Sequence, residues 1–155
     1  MGPLVDAAAV NKVASHVAHA VAHGARIETG GTRGKRTFFA PTVLSGVSKG
    51  TRILEELTFG PVAPVISFEH DAEVVRAAND TPVGLAAYLW TRDLSRAFRV
   101  TEALDSGIVG VNDGVPSTPQ APFGGVKVSG LGRDGGRRGI EEYLDVQFVS
   151  MGLDS

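Results

Sequence analysis

Apolar residues recur at helical spacing near the start of the chain. After Asp6, a residue type that favours helix N-caps, valine and alanine occur every three or four positions between Val10 and Val21. Gly24 then has the residue type that ends helices at the C′ position. The pattern predicts an amphipathic helix that packs by a single apolar stripe.

Helical segments and short apolar runs alternate along the rest of the chain. Asp71 is expected to cap a helix over residues 71–78, and Asp93 a helix that Gly107 ends, with shorter helical pieces at 53–57 and 139–143. The inward side of the helix after Asp93 is predicted to comprise Leu94, Ala97, Phe98 and Leu104. Strand candidates are residues 38–47, 62–68, 85–91, 108–111 and 146–151. This alternation predicts an α/β fold with a mostly parallel sheet flanked by helices.

Length and composition narrow the class of protein. A chain of 155 residues fits one domain, and no linker is long enough to divide it. The net charge of -2 argues against a nucleic-acid partner. No apolar run approaches the ~18 residues that span a bilayer, and no secretory signal opens the chain. Together with the absence of cysteine, these features predict a cytoplasmic protein without a membrane partner.

Three histidines share one side of the first predicted helix. His16, His19 and His23 are expected roughly opposite the valine stripe. Such spacing suits a metal, but no carboxylate is placed alongside to complete a site, so the sequence favours a solvated helix face. We therefore predict no metal site.

A glycine-rich segment matches a nucleotide-binding pattern in its letters only. Residues 130–135 fit G-x-G-x-x-G, yet no strand directly precedes them and no acidic residue follows at the required distance of ~20 positions. The glycines are therefore expected to form a tight turn.

Two other segments carry the candidate chemistry. Glu55 and Glu56 precede Thr-Phe-Gly-Pro at residues 58–61; paired carboxylates can hold ribose hydroxyls or transfer protons, or simply end a helix. Phe59, beside the Gly-Pro turn, can present its ring to a flat ligand or fill the core. Pro-Phe-Gly-Gly at residues 122–125 and Ser-Gly-Leu-Gly-Arg at 129–133 permit close backbone approach.

These segments, in this order, resemble the C-terminal third of NAD(P)-dependent aldehyde dehydrogenases. Further matches are Gly-Pro-Leu-Val-Asp at residues 2–6, Asn-Asp-Thr with Gly-Leu at 79–85, and Asn112 in the family's Val-Asn motif. The resemblance implies that residues 1–144 form the later part of the catalytic domain. It also implies that residues 145–155 form a C-terminal oligomerisation strand and tail.

The resemblance also implies that this chain lacks part of the family's catalytic site. In the family, an upstream cysteine attacks the aldehyde and hydride passes to NAD or NADP, whereas this chain has no cysteine. We therefore expect no catalytic residue in this chain, no activity of the chain alone, and no NAD or NADP held by it alone. The expected partners are an upstream polypeptide that carries the cofactor domain and further copies of the chain, joined through the C-terminal strand.

Site residues follow from the same resemblance. Phe59 matches the family's nicotinamide-positioning Phe, but the family's ribose-binding Glu, two residues before it, is Leu57 here. Glu56, one residue earlier, is the other cofactor candidate. Similarity to succinate-semialdehyde dehydrogenases at residues 107–112 and 139–144 makes Ser117 and Phe123 the candidate substrate residues.

A second hypothesis is a non-catalytic α/β module, derived from the same fold and used for assembly or ligand binding. The departure at Leu57 favours it, because leucine cannot accept a hydrogen bond from a ribose hydroxyl.

Overall fold

The computed structural model describes residues 1–152 and divides the chain into two compact units. Unit 1 spans Met1–Glu69, and unit 2 begins at His70. The lack of a long linker in the sequence predicts one domain. The division instead falls in a short connection between a strand that ends at Val65 and a helix that begins at Asp71.

Unit 1 consists of two helices and a three-stranded sheet. Its elements are α1 (Ala7–Ala22), β1 (Arg26–Thr29), β2 (Thr42–Ser45), α2 (Arg52–Glu55) and β3 (Val62–Val65). The strand order is β1-β2-β3, with β1 antiparallel and β3 parallel to the central strand. The predicted cap of α1 is confirmed, since Oδ1 of Asp6 accepts a 2.7 Å hydrogen bond from the backbone N of Ala9.

The core of unit 1 lies on the predicted valine stripe of α1. Val10, Val13, Val17 and Ala20 are buried in one cluster with residues of the sheet and of α2. Leu44 of β2 is completely buried in this cluster, and its burial anchors the central strand. Burial of apolar side chains, worth about 1.5–3 kcal/mol each, is what stabilises a unit of this size.

The predicted position of His16 is wrong, because its side chain is buried. The relative exposure of His16 is 0%, whereas His19 is half-buried and His23 is exposed. At about 100° per residue, position 16 lies only about 60° from position 13 around the helix. His16 therefore borders the valine stripe and does not oppose it.

The described part of unit 2, residues 70–152, contains three helices and four short strands. They are α3 (Asp71–Asn79), β4 (Val83–Gly84), β5 (Ala86–Leu89), α4 (Leu94–Ala103), β6 (Ile108–Val111), β7 (Val126–Lys127) and α5 (Gly136–Glu141). β5 pairs in parallel with β6, and β4 pairs antiparallel with β7. Each parallel pairing in the two units joins four residue pairs, against three and two in the antiparallel ones. The α/β fold with mainly parallel pairing is confirmed.

The two predicted caps in unit 2 have different outcomes. Oδ1 of Asp93 accepts a 3.1 Å hydrogen bond from the backbone N of Arg96, so this cap of α4 is confirmed. Asp71 is the first residue of α3, and the N-cap is His70. The Asp71 carboxylate instead accepts hydrogen bonds from the Arg96 guanidinium, at 3.1 and 2.5 Å, and so joins α3 to α4.

The inward face predicted for α4 is only partly covered. Ala97 and Leu104 are half-buried and Val100 is buried, but Leu94 and Phe98 are 71% and 60% exposed. An amphipathic pattern predicts which face of a helix is apolar, but not whether other parts of the same chain bury that face. No described helix is long and apolar enough to cross a membrane.

The strand predicted at residues 146–151 is absent from the structure. These residues have no regular secondary structure, and Val146, Phe148 and Met151 are exposed. A strand needs a neighbouring edge, and none of the strands described in residues 1–152 pairs with this segment. The final residues of the expected tail, 153–155, lie outside the described part of the chain.

Candidate functional site

The loop that carries Glu56 and Phe59 connects α2 to β3. Ile53 of α2 is buried in the core of unit 1 and holds the short helix in place. Glu56 is the C-cap of α2, and its backbone N donates a 2.8 Å hydrogen bond to the carbonyl of Arg52. We refer to residues 56–60 as the cofactor loop.

The Glu56 carboxylate already has two partners in unit 1. Oε1 accepts a 2.8 Å hydrogen bond from Nε of Arg52, and Oε2 lies 3.1 Å from Nε2 of His16. The hydrogen bond from Arg52, followed by that from His16, lowers the pKa of Glu56 to about 2. Glu56 is therefore ionised at neutral pH.

His16 connects α1 to two residues of the cofactor loop. Besides its contact with Glu56, its Nδ1 lies 3.0 Å from Oγ1 of Thr58. An ionised carboxylate can only accept, so we infer that Nε2 carries the hydrogen toward Glu56 and that, in the neutral ring, Nδ1 accepts from the Thr58 hydroxyl. This role of His16 was not predicted, although its position at the edge of the valine stripe is a signal that the sequence contains.

Phe59 has an unusual backbone and an exposed ring. Its φ is 45°, a left-handed conformation that is uncommon for a bulky residue. The side chain is 81% exposed, so within the described chain it does not fill the core. Leu57, also exposed, has no polar side-chain atom at the position where the resemblance predicts a glutamate. Of the two predicted cofactor residues, Phe59 is presented outward and Glu56 is engaged with its own chain.

In unit 2, backbone and side-chain bonds shape the loop that carries Phe123. Phe123 and Asp134 exchange two backbone hydrogen bonds of 2.7 Å. The guanidinium of Arg133 donates to the carbonyl of Gly125 at 2.8 Å and to that of Gly132 at 2.6 Å. Oε1 of Glu142 accepts from the backbone N of Arg133 at 3.1 Å. The Phe123 ring is thus attached to a bonded turn and remains partly exposed.

Ser117 lies in the long connection between β6 and β7. Its side chain is exposed, and the chain beyond it is turned by a 3.2 Å hydrogen bond from Ala121 N to the carbonyl of Thr118. The connection is fixed further along by a 2.9 Å bond from Gly136 N to the carbonyl of Pro119. Both predicted substrate residues therefore belong to unit 2, as both cofactor residues belong to unit 1.

The segment with the G-x-G-x-x-G pattern is a turn, as predicted. Gly130, Gly132 and Gly135 all have positive φ. The strand that precedes them, β7, has two residues and pairs antiparallel with β4. A dinucleotide-binding segment would follow a strand of a parallel βαβ unit, so this turn has another role.

Two asparagines in the family-like motifs have structural roles. Asn79 donates to the carbonyl of Ala103 at 2.7 Å and accepts from the backbone N of Asp105 at 2.9 Å. Asn112, with a φ of 52°, bonds both backbone groups of Thr91, at 2.8 and 2.9 Å. These side chains replace backbone hydrogen bonds where helices and strands end.

Across residues 1–152, three or more metal-ligating side chains do not gather in one place.

Comparison with known proteins identifies the family. The sequence profile of the Aldehyde dehydrogenase family matches residues 1–149. The chain is 51% identical over 155 residues to the NADP(+) succinate-semialdehyde dehydrogenase of Escherichia coli, an alignment covering 99% of this chain and 32% of that protein. It is 50% identical over 153 residues to the glutarate-semialdehyde dehydrogenase of Pseudomonas aeruginosa, covering 97% of this chain and 32% of that protein.

The fold agrees with the sequence match. The crystal structure of an NADP-dependent enzyme from E. coli superposes with a TM-score of 0.95 at 50% identity, covering 99% of this chain and 32% of that one. The chain thus belongs to the aldehyde dehydrogenase family and spans about a third of the length of the relatives that it matches.

Proposed function

We propose that this chain is the C-terminal portion of an NAD(P)-dependent aldehyde dehydrogenase that oxidises succinate semialdehyde to the carboxylic acid, and that it is inactive alone. Family membership, together with a span of 32% of the relatives' length, supports a part of a larger enzyme. The chain contains no cysteine, so the nucleophile that the family's chemistry needs has to come from the remaining part.

The names of the relatives support a substrate with an anionic group opposite the aldehyde. Succinate and glutarate semialdehydes, named in the two relatives, both carry a terminal carboxylate. In this proposal the hydroxyl of Ser117 donates a hydrogen bond to that carboxylate, and the Phe123 ring packs against the aliphatic part of the substrate. Both side chains are exposed in unit 2, as a substrate contact requires.

The residues of the cofactor loop fit one face of a nicotinamide. When bound, NAD(P) supplies the acceptor of the hydride that leaves the substrate. The exposed Phe59 ring offers a flat apolar surface against which the nicotinamide ring can pack. Leu57 offers no hydrogen bond to a ribose hydroxyl, so this chain binds the cofactor through packing more than through polar contacts.

The C-terminal segment supplies the proposed oligomer contact. Four of the six residues at 146–151 are apolar, and the segment is exposed and without a strand partner within residues 1–152, which suits pairing with an edge strand of another chain. We place the assembled enzyme in the cytoplasm, where a chain without disulfides needs no oxidising environment.

The test is NAD(P)H formation by the purified chain, alone and mixed with an upstream polypeptide that carries a cofactor domain and a reactive cysteine. We expect turnover of succinate semialdehyde only in the mixture. Butanal, which has the same four carbons and no carboxylate, is the matched control substrate and should have a much lower kcat/KM. Turnover by the chain alone would contradict the proposal.

The non-catalytic module is the alternative that Leu57 favours. If the upstream polypeptide is folded and bound to the chain, yet the mixture neither binds NAD(P)+ nor oxidises any aldehyde tested, this alternative replaces the proposal.

A further inference from the structure

The residues before and after Phe59, Thr58 and Gly60, both contact helix α1. On one side, the Thr58 hydroxyl lies 3.0 Å from Nδ1 of His16. On the other, Gly60 packs so closely that a Cβ added to it would overlap the side chain of Val13. His16 and Val13 are both completely buried and so have little freedom to move. The unusual backbone at Phe59 is therefore held from two points on one helix.

Both ring nitrogens of His16 are used by the cofactor loop. Nδ1 faces Thr58, and Nε2 faces the Glu56 carboxylate at 3.1 Å. An apolar side chain of similar size would pack beside Val13 and Val17, but it would leave both loop residues without a partner on α1. A buried imidazole is costly unless its polar atoms are paired, and here the loop supplies that pairing.

We propose that His16 is a positioning residue for the cofactor loop: by bonding Glu56 and Thr58 to α1, it fixes the backbone that presents the Phe59 ring to the nicotinamide. This inference rests on the proposed function, which supplies the nicotinamide, and extends it to a residue that lies 43 positions before Phe59 in the sequence.

The same geometry assigns Glu56 an indirect part in cofactor binding. Its two oxygens are held by Arg52 and His16, at 2.8 and 3.1 Å. A carboxylate held in this way orders the start of the loop, and a rotation toward a ribose would break both bonds. Glu56 therefore acts through the position of the loop, together with His16.

The first readout is amide hydrogen exchange in the chain itself, which needs no cofactor. Thr58→Val removes the hydroxyl with little change in volume, and His16→Ala removes the imidazole. His23→Ala, which removes an exposed histidine at the C-cap of the same helix, is the matched control. The Glu56 and Val62 amides, at the two ends of the loop, donate 2.8 Å hydrogen bonds to the carbonyls of Arg52 and Gly60. We expect their protection factors to fall about tenfold in the first two variants relative to the control, with β2 unchanged.

Thr58→Val keeps the test valid if His16→Ala does not fold. If protection of the Glu56 and Val62 amides falls no more in Thr58→Val than in His23→Ala, the positioning role is overturned. His16→Gln, which retains a donor for Glu56, should recover part of the protection lost in His16→Ala.

The second readout is the dissociation constant of NAD(P)+ in the mixture with the upstream polypeptide. Thr58→Val should raise it about threefold to tenfold and leave the KM for succinate semialdehyde unchanged, because the loop is expected to contact only the cofactor. Lost protection with an unchanged dissociation constant would overturn the link to the nicotinamide. An unmodified mixture that binds no NAD(P)+ would instead reject the proposed function and with it that link, while the exchange data would still decide whether His16 holds the loop.

Discussion

Phe59 and Glu56 belong to one loop but have opposite relations to the rest of unit 1. The Phe59 ring is exposed on a left-handed backbone, a conformation that costs about 1–3 kcal/mol and persists only where neighbouring contacts impose it. The Glu56 carboxylate is bonded back to α1 and α2. The loop thus combines an outward-facing ring with an inward-facing anchor, and substitutions at the two residues should have different effects.

Replacing Phe59 should affect the cofactor and not the fold. Because the ring is exposed, Phe59→Ala should change the free energy of unfolding by less than about 0.5 kcal/mol. In the mixture with the upstream polypeptide it should raise the KM for NAD(P)+ about tenfold. Phe39→Ala is the matched control, since Phe39 is buried in the core and its loss should destabilise the chain by about 3–5 kcal/mol. An unchanged KM in Phe59→Ala would remove Phe59 from the site.

The ionisation of Glu56 predicts a specific pH dependence. Arg52 first, and then His16, lowers the pKa of Glu56 from 4.5 to about 2 in the folded chain, with His19 nearby as a further titratable group. The ionised carboxylate therefore contributes stability that is fully present above pH 4.5 and is lost as the pH falls toward 2. Because Glu56 is substantially solvent-exposed, solvent screens the effect and we expect it to be small.

Urea unfolding at several pH values checks this dependence. Between pH 4.5 and 2, Glu56→Gln should lose less stability than the unmodified chain. Glu55→Gln makes the same charge change at the neighbouring position and should parallel the unmodified chain. Identical slopes for Glu56→Gln and Glu55→Gln would show that the pairing of Glu56 contributes nothing to stability.

At the scale of elements, local signals in the sequence were sufficient to locate helices but not to predict contacts between residues far apart in the chain. The periodicity of valine located α1, and the aspartates located the starts of α1 and α4. The burial of His16 follows from its place beside the valine stripe, but its partners could not be predicted. Glu56 and Thr58 lie 40 and 42 residues later, and only the folded loop brings them to the helix. The strand at residues 146–151 was predicted from apolar residues alone, whereas a strand also requires a neighbouring edge.

The candidate site, too, could be predicted from the sequence only in part. Phe59, Ser117 and Phe123 could be singled out because they stand in recognisable motifs, and their roles stay predictions. The bonds that shape their loops could not be foreseen. Arg133 reaches Gly125, and Glu142 reaches Arg133, across gaps of eight and nine residues that no periodicity encodes.

The cap of α1 should be measurable as a loss of stability. Asp6→Ala removes the side-chain acceptor of the 2.7 Å bond from Ala9 N and should lower the free energy of unfolding by about 1 kcal/mol. Asp6→Asn keeps an acceptor at the same place and should cost much less. If both variants unfold at the same urea concentration as the unmodified chain, the cap contributes nothing to stability.

Asn112 should stabilise the end of the parallel pair β5–β6. Asn112→Ala removes two hydrogen bonds to Thr91 and leaves alanine at a positive φ, so we expect a loss of about 2–3 kcal/mol in thermal or urea unfolding. Asn112→Gly removes the bonds but tolerates the backbone and should lose less. Equal losses would mean that the backbone conformation at this position has no cost.

At the scale of the whole molecule, apolar surface that the chain does not cover is the main feature. Leu94 and Phe98 on α4 and Phe148 near the C-terminus are all largely exposed. The chain spans 32% of the length of a relative that it matches, and in the proposed larger enzyme other segments would cover such surfaces. We therefore predict that this chain associates with itself and with the proposed upstream polypeptide.

Self-association should depend on the C-terminal segment. Phe148→Asp places a charge in the middle of residues 146–151 and should shift the mass measured by light scattering toward that of a monomer. Leu94→Asp, which places the same charge on the exposed face of α4, is the control that separates a specific strand contact from general apolar adhesion. A monomeric mass for the unmodified chain, or an equal shift in both variants, would contradict pairing through this segment.

The most direct test of the whole account is a titration of the chain into an upstream polypeptide that carries the cofactor domain and the reactive cysteine, with NAD(P)H formation from succinate semialdehyde as the signal. Neither polypeptide should be active alone, and the rate should rise with added chain and saturate when the two are equimolar. Turnover by either polypeptide alone, or a rate that stays at zero although the two bind, would contradict the assignment of this chain as the C-terminal portion of a semialdehyde dehydrogenase.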